Sequence, residues 1–228
     1  AYEKVTRRSG FILTAFSSCG AEIKNFRKLS DGRLWDRSTD TYYTPCSVSL
    51  RAYELGDIYA KNETYNYYKV NWELPERFVA DEDTVLGGVY RNSELPEINI
   101  SNFGAVAAKI YVTGEIRQLV DELLASPDII GDVSRFTHYE DGTERVNAVV
   151  DAMISGEEKP IPVNIDEDRV FEIGLLSADY PGLVYTVIFM LDINGDAYLY
   201  DRSDKKCVAC PVMIKDYMLG TSSETSED

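Results

Sequence analysis

Hydrophobic residues recur at helical spacing in two segments of the second half of the chain. The first stripe comprises Ile116, Leu119, Val120, Leu123 and Leu124, with Pro127 beyond it. The second comprises Val146, Val149, Val150, Met153 and Ile154, with Gly156 beyond it as a C-terminal cap. Spacings of three and four residues place side chains on one face of a helix. The pattern therefore predicts two amphipathic helices.

Apolar, β-forming runs surround these helices and predict a mainly antiparallel sheet. The runs cover residues 107–113, 169–176, 183–193, 197–200 and 206–212. The run at 183–193 is almost continuously apolar, which is typical of a central strand that is covered on both faces. Asn194-Gly195 then predicts a two-residue hairpin turn of type I′, in which both residues need positive φ.

The first hundred residues predict short strands joined by turns. Residues 33–36 and 41–44 form two arms around a polar turn, and a second hairpin is predicted around Asn62-Glu63. We therefore expect an α+β protein with a β-rich region over residues 1–104. We expect residues 105–220 to form an α+β region whose two helices pack on the sheet, and residues 221–228 to form a disordered acidic tail. A single domain over residues 1–220 is the alternative.

One short sequence occurs twice. Leu34-Trp35-Asp36-Arg37-Ser38 is echoed by Leu199-Tyr200-Asp201-Arg202-Ser203, and each copy follows a turn that contains glycine. Either a module has been duplicated, or two hairpins have converged on the same turn chemistry. Both interpretations predict that each copy forms a β-hairpin.

The charge balance disfavours one class of partner. The chain of 228 residues carries 39 acidic and 23 basic side chains, which gives a net charge of −16. Such a surface repels phosphate backbones, so no nucleic-acid partner is expected. No apolar run reaches the roughly 18 residues that a membrane-spanning helix needs, so no such helix is predicted.

The start of the chain supports two interpretations. Two arginines precede a short apolar run at residues 11–16, which is followed by Cys19. This order is similar to that of a bacterial lipoprotein signal ending at its lipidated cysteine, and the similarity implies an exported or envelope-displayed protein. The alternative is a first β-strand over residues 10–18, which leaves a cytoplasmic location open.

The cysteines and the single histidine limit the chemistry. Cys207 and Cys210 form a Cys-x-x-Cys pair, a pattern shared by redox dithiols, half zinc sites and disulfides. The pair follows a predicted hairpin instead of opening a helix, so structural or disulfide-linked cysteines are favoured over redox thiols. His138 lies in a loop-like segment, and no serine-nucleophile motif accompanies it. We predict no catalytic residue, metal ligand or cofactor.

Tyrosine is concentrated in the first half. Seven of the sixteen tyrosines lie between positions 42 and 68. Adjacent residues of a strand face opposite sides of a sheet, so one member of each adjacent tyrosine pair is expected at the surface. The candidate partner-binding residues are Trp35, Tyr42, Tyr43, Tyr67 and Tyr68. Cross-strand packing within the sheet is the alternative role of this cluster.

These patterns favour a non-enzymatic binding or interaction protein that is exported or displayed on a bacterial cell envelope. Its aromatic-rich surface would contact a protein or a carbohydrate. Two classes of alternative stay open. One is an enzyme, either a thiol-dependent redox protein that uses Cys207 and Cys210 or a carboxylate-based hydrolase, and the other is a structural or assembly subunit.

Overall fold

The computed structural model describes residues 22–51, 55–82, 88–112 and 140–220. These residues form a closed barrel of seven strands, a second sheet of six strands and two helices. The strands are β1 Lys24–Lys28, β2 Leu34–Asp36, β3 Thr41–Pro45, β4 Ser49–Leu50, β5 Ile58–Lys61, β6 Asn66–Lys69, β7 Phe78–Asp81, β8 Val89–Asn92, β9 Ala105–Val112, β10 Ile165–Ser177, β11 Leu183–Asp192, β12 Ala197–Asp201 and β13 Lys206–Ala209. The helices are α1 Glu140–Ser155 and α2 Val212–Leu219.

The barrel has the strand order β1-β2-β3-β8-β7-β6-β5 and closes where β5 pairs with β1. That closing pair is parallel, whereas the other neighbours are antiparallel. One buried cluster fills the interior: Phe26, Leu34, Tyr43, Ala60, Tyr67, Val79 and Tyr90. The ring of Phe26 lies 5.3 Å from that of Tyr43 and 5.5 Å from that of Tyr67, so aromatic contacts provide much of this core.

The second sheet has the order β13-β12-β11-β10-β9, and the short strand β4 also pairs with β11. Strand β11 lies inside the sheet, and eight of its ten residues are buried. This confirms the predicted central strand. Burial on both faces explains why its sequence is almost continuously apolar and does not alternate.

Strands β7 and β8 join the barrel to the second sheet because both of their faces are buried. Val79 and Tyr90 point into the barrel. Phe78, Ala80 and Val89 face the other way, into the main core that the barrel shares with β9–β13 and α1. The predicted boundary between residues 104 and 105 falls between the barrel strands and β9, although the shared core continues across it.

The repeated sequence forms two hairpins of the same conformation, as both interpretations predicted. In β1–β3, Trp35 lies opposite Arg27 on one side and Tyr42 on the other. In β11–β13, Tyr200 occupies the equivalent position between Ile188 and Cys207. The turns also match, since Asp40 and Lys205 have φ of 55° and 54° at equivalent positions. The register is thus shared over three strands.

The hairpin at Asn194-Gly195 is confirmed, but the predicted type I′ turn is wrong. Gly195 has φ of 87°, whereas Asn194 does not have positive φ. The turn is one residue longer, because the N–H of Asp192 donates to the carbonyl of Asp196. The Asp192 carboxylate accepts the N–H groups of Asn194 and Asp196 at 2.9 and 2.8 Å, which fixes this wider turn. The hairpin predicted around Asn62-Glu63 is present between β5 and β6.

The helices agree with the prediction only in part. The described chain is mostly β with two short helices, so α+β holds in a broad sense. Helix α1 contains the second predicted stripe and buries Val146, Val149 and Met153 in the main core. The first predicted helix, at residues 116–124, lies outside the described residues, so the expected layer of two helices is not established. Neither described helix is long and apolar enough to cross a membrane.

Helix α2 was not predicted, because a strand was expected to continue to residue 212. Strand β13 instead ends at Ala209, and Pro211 occupies the N-cap of the helix. Gly220 ends it with a left-handed C-cap, and its N–H donates to the carbonyl of Tyr217. A short helix of eight residues has too few turns for its periodicity to be recognised in the sequence.

Gly182 is expected to tolerate no larger residue, because the loop between β10 and β11 packs against the backbone of the loop between β6 and β7. A Cβ atom at Gly182 would lie 2.2 Å from the carbonyl oxygen of Asn71. We expect Gly182→Ala to lower the free energy of unfolding in urea by about 3 kcal/mol or more. Gly195→Ala is the control: it adds strain at positive φ but meets no atom within 4 Å. It should cost only about 1 kcal/mol, and equal losses in the two variants would contradict the close packing.

Candidate functional site

The hairpin of β2 and β3 places two of the candidate aromatic residues side by side on the outside of the barrel. Trp35 and Tyr42 lie directly opposite each other in the register. Their neighbours Leu34 and Tyr43 point into the barrel. Because adjacent residues of a strand face opposite sides, this inward pair directs Trp35 and Tyr42 outward. Both are partly exposed.

The two rings and two arginines form a continuous series, which we call the hairpin ladder. The planes of Trp35 and Tyr42 are 8° apart and their centroids are separated by 6.1 Å. The guanidinium carbon of Arg33 lies 5.4 Å from the centre of the Tyr42 ring. That of Arg37 lies 5.3 Å from the centre of Trp35. The ladder therefore has the order Arg33, Tyr42, Trp35, Arg37, and each ring makes a cation–π contact.

Two aspartates hold parts of the ladder in place. The indole N–H of Trp35 donates to a carboxylate oxygen of Asp40 at 2.9 Å, which fixes the ring. Arg33 donates through Nε to Asp31 at 2.7 Å. Hydrogen bonds from the backbone and the side chain of Arg33 lower the pKa of Asp31. Arg37 is exposed, and within the described residues it makes no ion pair.

The local charge differs from that of the whole chain. Residues 22–45, which include β1 to β3, carry five basic and four acidic side chains, a net charge of +1. The complete chain has a net charge of −16. The hairpin ladder is therefore part of a slightly cationic region in a strongly acidic protein.

The buried carboxylate of Asp36 fixes the hairpin that carries the ladder. It accepts hydrogen bonds from Lys24 Nζ at 2.7 Å, from Ser38 N and Oγ at 2.9 and 2.6 Å, and from Thr39 Oγ1 at 2.8 Å. Burial alone would raise the pKa of Asp36, but these hydrogen bonds outweigh burial and lower the pKa to about 2. The hydrogen bonds from the turn therefore stabilise the charged form of Asp36.

The other candidate aromatic residues do not join this site. Tyr43 and Tyr67 are enclosed in the barrel, with exposed fractions of 1% and 0%. Tyr43 donates its hydroxyl to the carbonyl of Pro75, and Tyr67 accepts a hydrogen bond from Asn62 at 2.8 Å. These two rings are therefore packing residues and cannot contact a partner. Tyr68 is partly exposed on the outer side of the barrel, opposite Ile58 and Ala80.

Sequence reasoning missed Arg33 and Arg37. The signal was present, because both lie two residues from Trp35 and so share its face if β2 is extended through them. Among the described residues, the repeated hairpin forms no equivalent ladder. Tyr200 lies opposite Cys207, which is buried beside Ile188 and Met190.

Cys207 and Cys210 are free thiols on two different sides of the second sheet. Cys207 belongs to the small cluster with Ile188 and Met190, whereas Cys210 packs against the main core. Burial raises the pKa of both thiols, that of Cys210 to about 12. Raised pKa values keep the thiols protonated, which is the opposite of what redox catalysis needs. The arrangement offers no support for the redox alternative.

Within the described residues, no group of three or more His, Cys, Asp or Glu side chains is placed to hold a metal ion. His138 and Cys19 lie outside these residues. Comparisons with protein-family models, with curated proteins and with solved structures find no match to the chain.

Asp36→Asn is expected to destabilise the protein by about 2 kcal/mol at pH 7, because it removes a buried, hydrogen-bonded charge. The folded-state pKa lies below the unfolded value of about 3.9, so the stabilisation is complete above pH ~5 and is lost as the pH falls toward 2. The free energies of unfolding of the wild type and of Asp36→Asn, measured in urea, should therefore converge as the pH falls. Asp57→Asn is the control, since Asp57 is 88% exposed and pairs with Lys69 at 3.4 Å. A constant difference at all pH values would count against the role of the Asp36 charge.

The two thiols should react slowly in the folded protein. At pH 8 we expect iodoacetamide to alkylate Cys210 at least about 100-fold more slowly than in denaturant, because only the thiolate is nucleophilic. Mass spectrometry of quenched samples measures both rates. Rapid alkylation of Cys207 or Cys210 at pH 6 would show a low-pKa thiol and restore the redox interpretation.

Proposed function

We propose that the protein is a non-enzymatic binding protein, exported or displayed on a bacterial cell envelope, that contacts its partner through the hairpin ladder. The observation that carries the proposal is the parallel, partly exposed pair of Trp35 and Tyr42 on the outside of the barrel. The lipoprotein-like order of residues that ends at Cys19 supports the proposed location.

The composition of the ladder favours binding. Tryptophan, tyrosine and arginine are the residue types that most often dominate the energy of protein interfaces. Here one tryptophan, one tyrosine and two arginines contact one another on a single hairpin. Contacts among side chains reduce the rotamer freedom that is lost when a partner binds, and so favour affinity.

The hairpin is also a rigid support for such a surface. Asp36 fixes the turn, Asp40 fixes the indole of Trp35, and Tyr43 anchors β3 in the barrel core. A binding surface on a strand pair whose opposite face is buried keeps its geometry before the partner arrives.

The proposal predicts that the double variant Trp35→Ala, Tyr42→Ala loses partner binding while its melting temperature changes little. The reason is that both rings are surface groups whose removal leaves the barrel core intact. Purified protein is immobilised and incubated with solubilised envelope proteins and glycans of its host. Mass spectrometry then compares what the wild type and the variant retain. A partner retained by the wild type should be at least tenfold depleted with the variant.

Two controls separate binding from packing. Trp72→Ala removes a tryptophan that is 66% exposed in the loop between β6 and β7, and it should retain the partner. Tyr43→Ala should instead lower the free energy of unfolding by about 3–5 kcal/mol, because it empties the barrel core. Equal retention by the ladder variant and the wild type would overturn the proposed binding surface. Finding the native protein only in the cytoplasmic fraction would overturn the proposed location.

A further inference from the structure

We propose that the hairpin ladder binds an acidic polypeptide segment, and that Arg33 and Arg37 receive its carboxylate groups. This inference rests on the proposed function and names the chemistry of the partner. It follows from three properties of the ladder: which ring faces are covered, which N–H donors remain, and how charge is distributed over the chain.

The ring faces are not open platforms. A guanidinium group already lies over Tyr42 and another over Trp35, each within 5.4 Å of the ring centre. A neutral sugar that stacked on these faces would have to displace an arginine. The edges of aromatic rings carry partial positive charge, which complements an anion and not a second cation. Ring edges and guanidinium N–H groups together therefore favour a partner with negative charge.

Both arginines keep donors for such a partner. Arg37 contacts the Trp35 ring and makes no ion pair within the described part of the chain. Arg33 gives its Nε–H to Asp31 and retains its terminal NH₂ groups, and its side chain is 43% exposed. A guanidinium fork matches the two oxygens of a carboxylate and binds it through two parallel hydrogen bonds. The cation–π contacts hold both forks in place before binding.

The spacing of the arginines suits an extended chain. Arg33 and Arg37 are four residues apart along β2 and its turn, so their Cα atoms are no more than about 13 Å apart at 3.3 Å per residue. Two acidic side chains four residues apart reach up to the same distance when their segment is fully extended. A segment of this kind can engage both forks at once.

The charge distribution selects against larger polyanions. Outside residues 22–45 the chain has a net charge of −17, since those residues contribute +1 to the total of −16. A nucleic acid or a long anionic polysaccharide would extend from the ladder over this acidic surface and be repelled. A short segment with two carboxylates stays local, because screening at physiological salt limits charge effects to about 8 Å. The observations therefore favour a peptide segment over a polyanion.

The test uses the full-length protein and a synthetic peptide, Gly-Glu-Ser-Gly-Ser-Glu-Ser-Gly, with acetylated and amidated ends. Calorimetric titration should show binding that is at least tenfold weaker for the matched peptide in which both glutamates are glutamine. Arg33→Gln combined with Arg37→Gln should weaken binding of the acidic peptide at least tenfold. The single variant Arg37→Lys should also bind the acidic peptide more weakly than the wild type does, because the lysine ammonium cannot form the two parallel hydrogen bonds of a guanidinium group.

Arg202→Gln provides the matched control, since Arg202 occupies the position of Arg37 in the repeated hairpin. Like the single change Arg37→Gln, it removes one positive charge, and it should leave peptide binding unchanged, whereas Arg37→Gln should weaken it. If Arg202→Gln weakened peptide binding as much as Arg37→Gln, the effect would come from net charge alone, and the inference would be overturned. Tighter binding of polygalacturonate than of the peptide would assign the carboxylates to a polysaccharide and overturn the inference of a peptide partner.

The outcomes also separate this inference from the proposed function. If the captured partner depends on Trp35 and Tyr42 but not on Arg33 and Arg37, the acidic-segment inference fails and the binding surface stands. If partner capture is unaffected by the ladder variants while the acidic peptide still binds through both arginines, the proposed function fails and the ladder is only an anion site.

Discussion

The arrangement of the candidate site depends on one buried carboxylate, that of Asp36. An unpaired charge out of water is very costly, so the carboxylate is tolerated only because Lys24, Ser38 and Thr39 donate to it. These donors come from β1 and from the turn after β2, so satisfying the charge fixes the turn and ties it to the neighbouring strand. The register that results places Trp35 opposite Tyr42 and directs both rings away from the barrel. Hydrogen bonds to Asp36 thus stabilise the hairpin in the register that presents these two rings.

The same device recurs in the second sheet, where Asp201 is 1% exposed. Its carboxylate accepts the N–H of Ser203 at 2.7 Å and the hydroxyl of Tyr185. Tyr185 lies two residues before the cross-strand partner of Asp201, and Lys24 lies two residues before that of Asp36. The donor differs, but its position does not. The two buried aspartates therefore occupy the same position in their hairpins and differ in the side chain that donates to them.

Local features of the fold could be predicted from the sequence, whereas non-local ones could not. Alternation in β3 and β6 correctly separates Tyr42 from Tyr43 and Tyr68 from Tyr67, because a strand has a period of two whatever it packs against. Barrel closure requires the parallel pairing of β1 with β5, and no local pattern encodes a contact between such distant segments. The turn type after β11 was mispredicted because the Asp192 side chain, and not the Asn-Gly pair alone, determines the loop. The tyrosine pattern did not indicate the arginines of the ladder, because their contacts with the rings depend on the pairing of β2 with β3.

The two hairpins place different side chains at the same backbone positions. Trp35 and Tyr200 occupy equivalent positions, and the difference lies in the residue opposite, Tyr42 in one hairpin and Cys207 in the other. A small thiol is buried beside Ile188 and Met190 and becomes part of an apolar cluster. In the first hairpin the ring of Tyr42 instead stacks on that of Trp35, and an arginine lies over each of the two rings. The backbone sets the positions of Trp35 and Tyr200, and the residue opposite each ring determines whether the ring packs in an apolar cluster or lies at the surface. The second hairpin keeps the turn, the register and the buried aspartate without a stacked pair of rings, so the ladder is a property of the side chains of the first hairpin and not of its backbone.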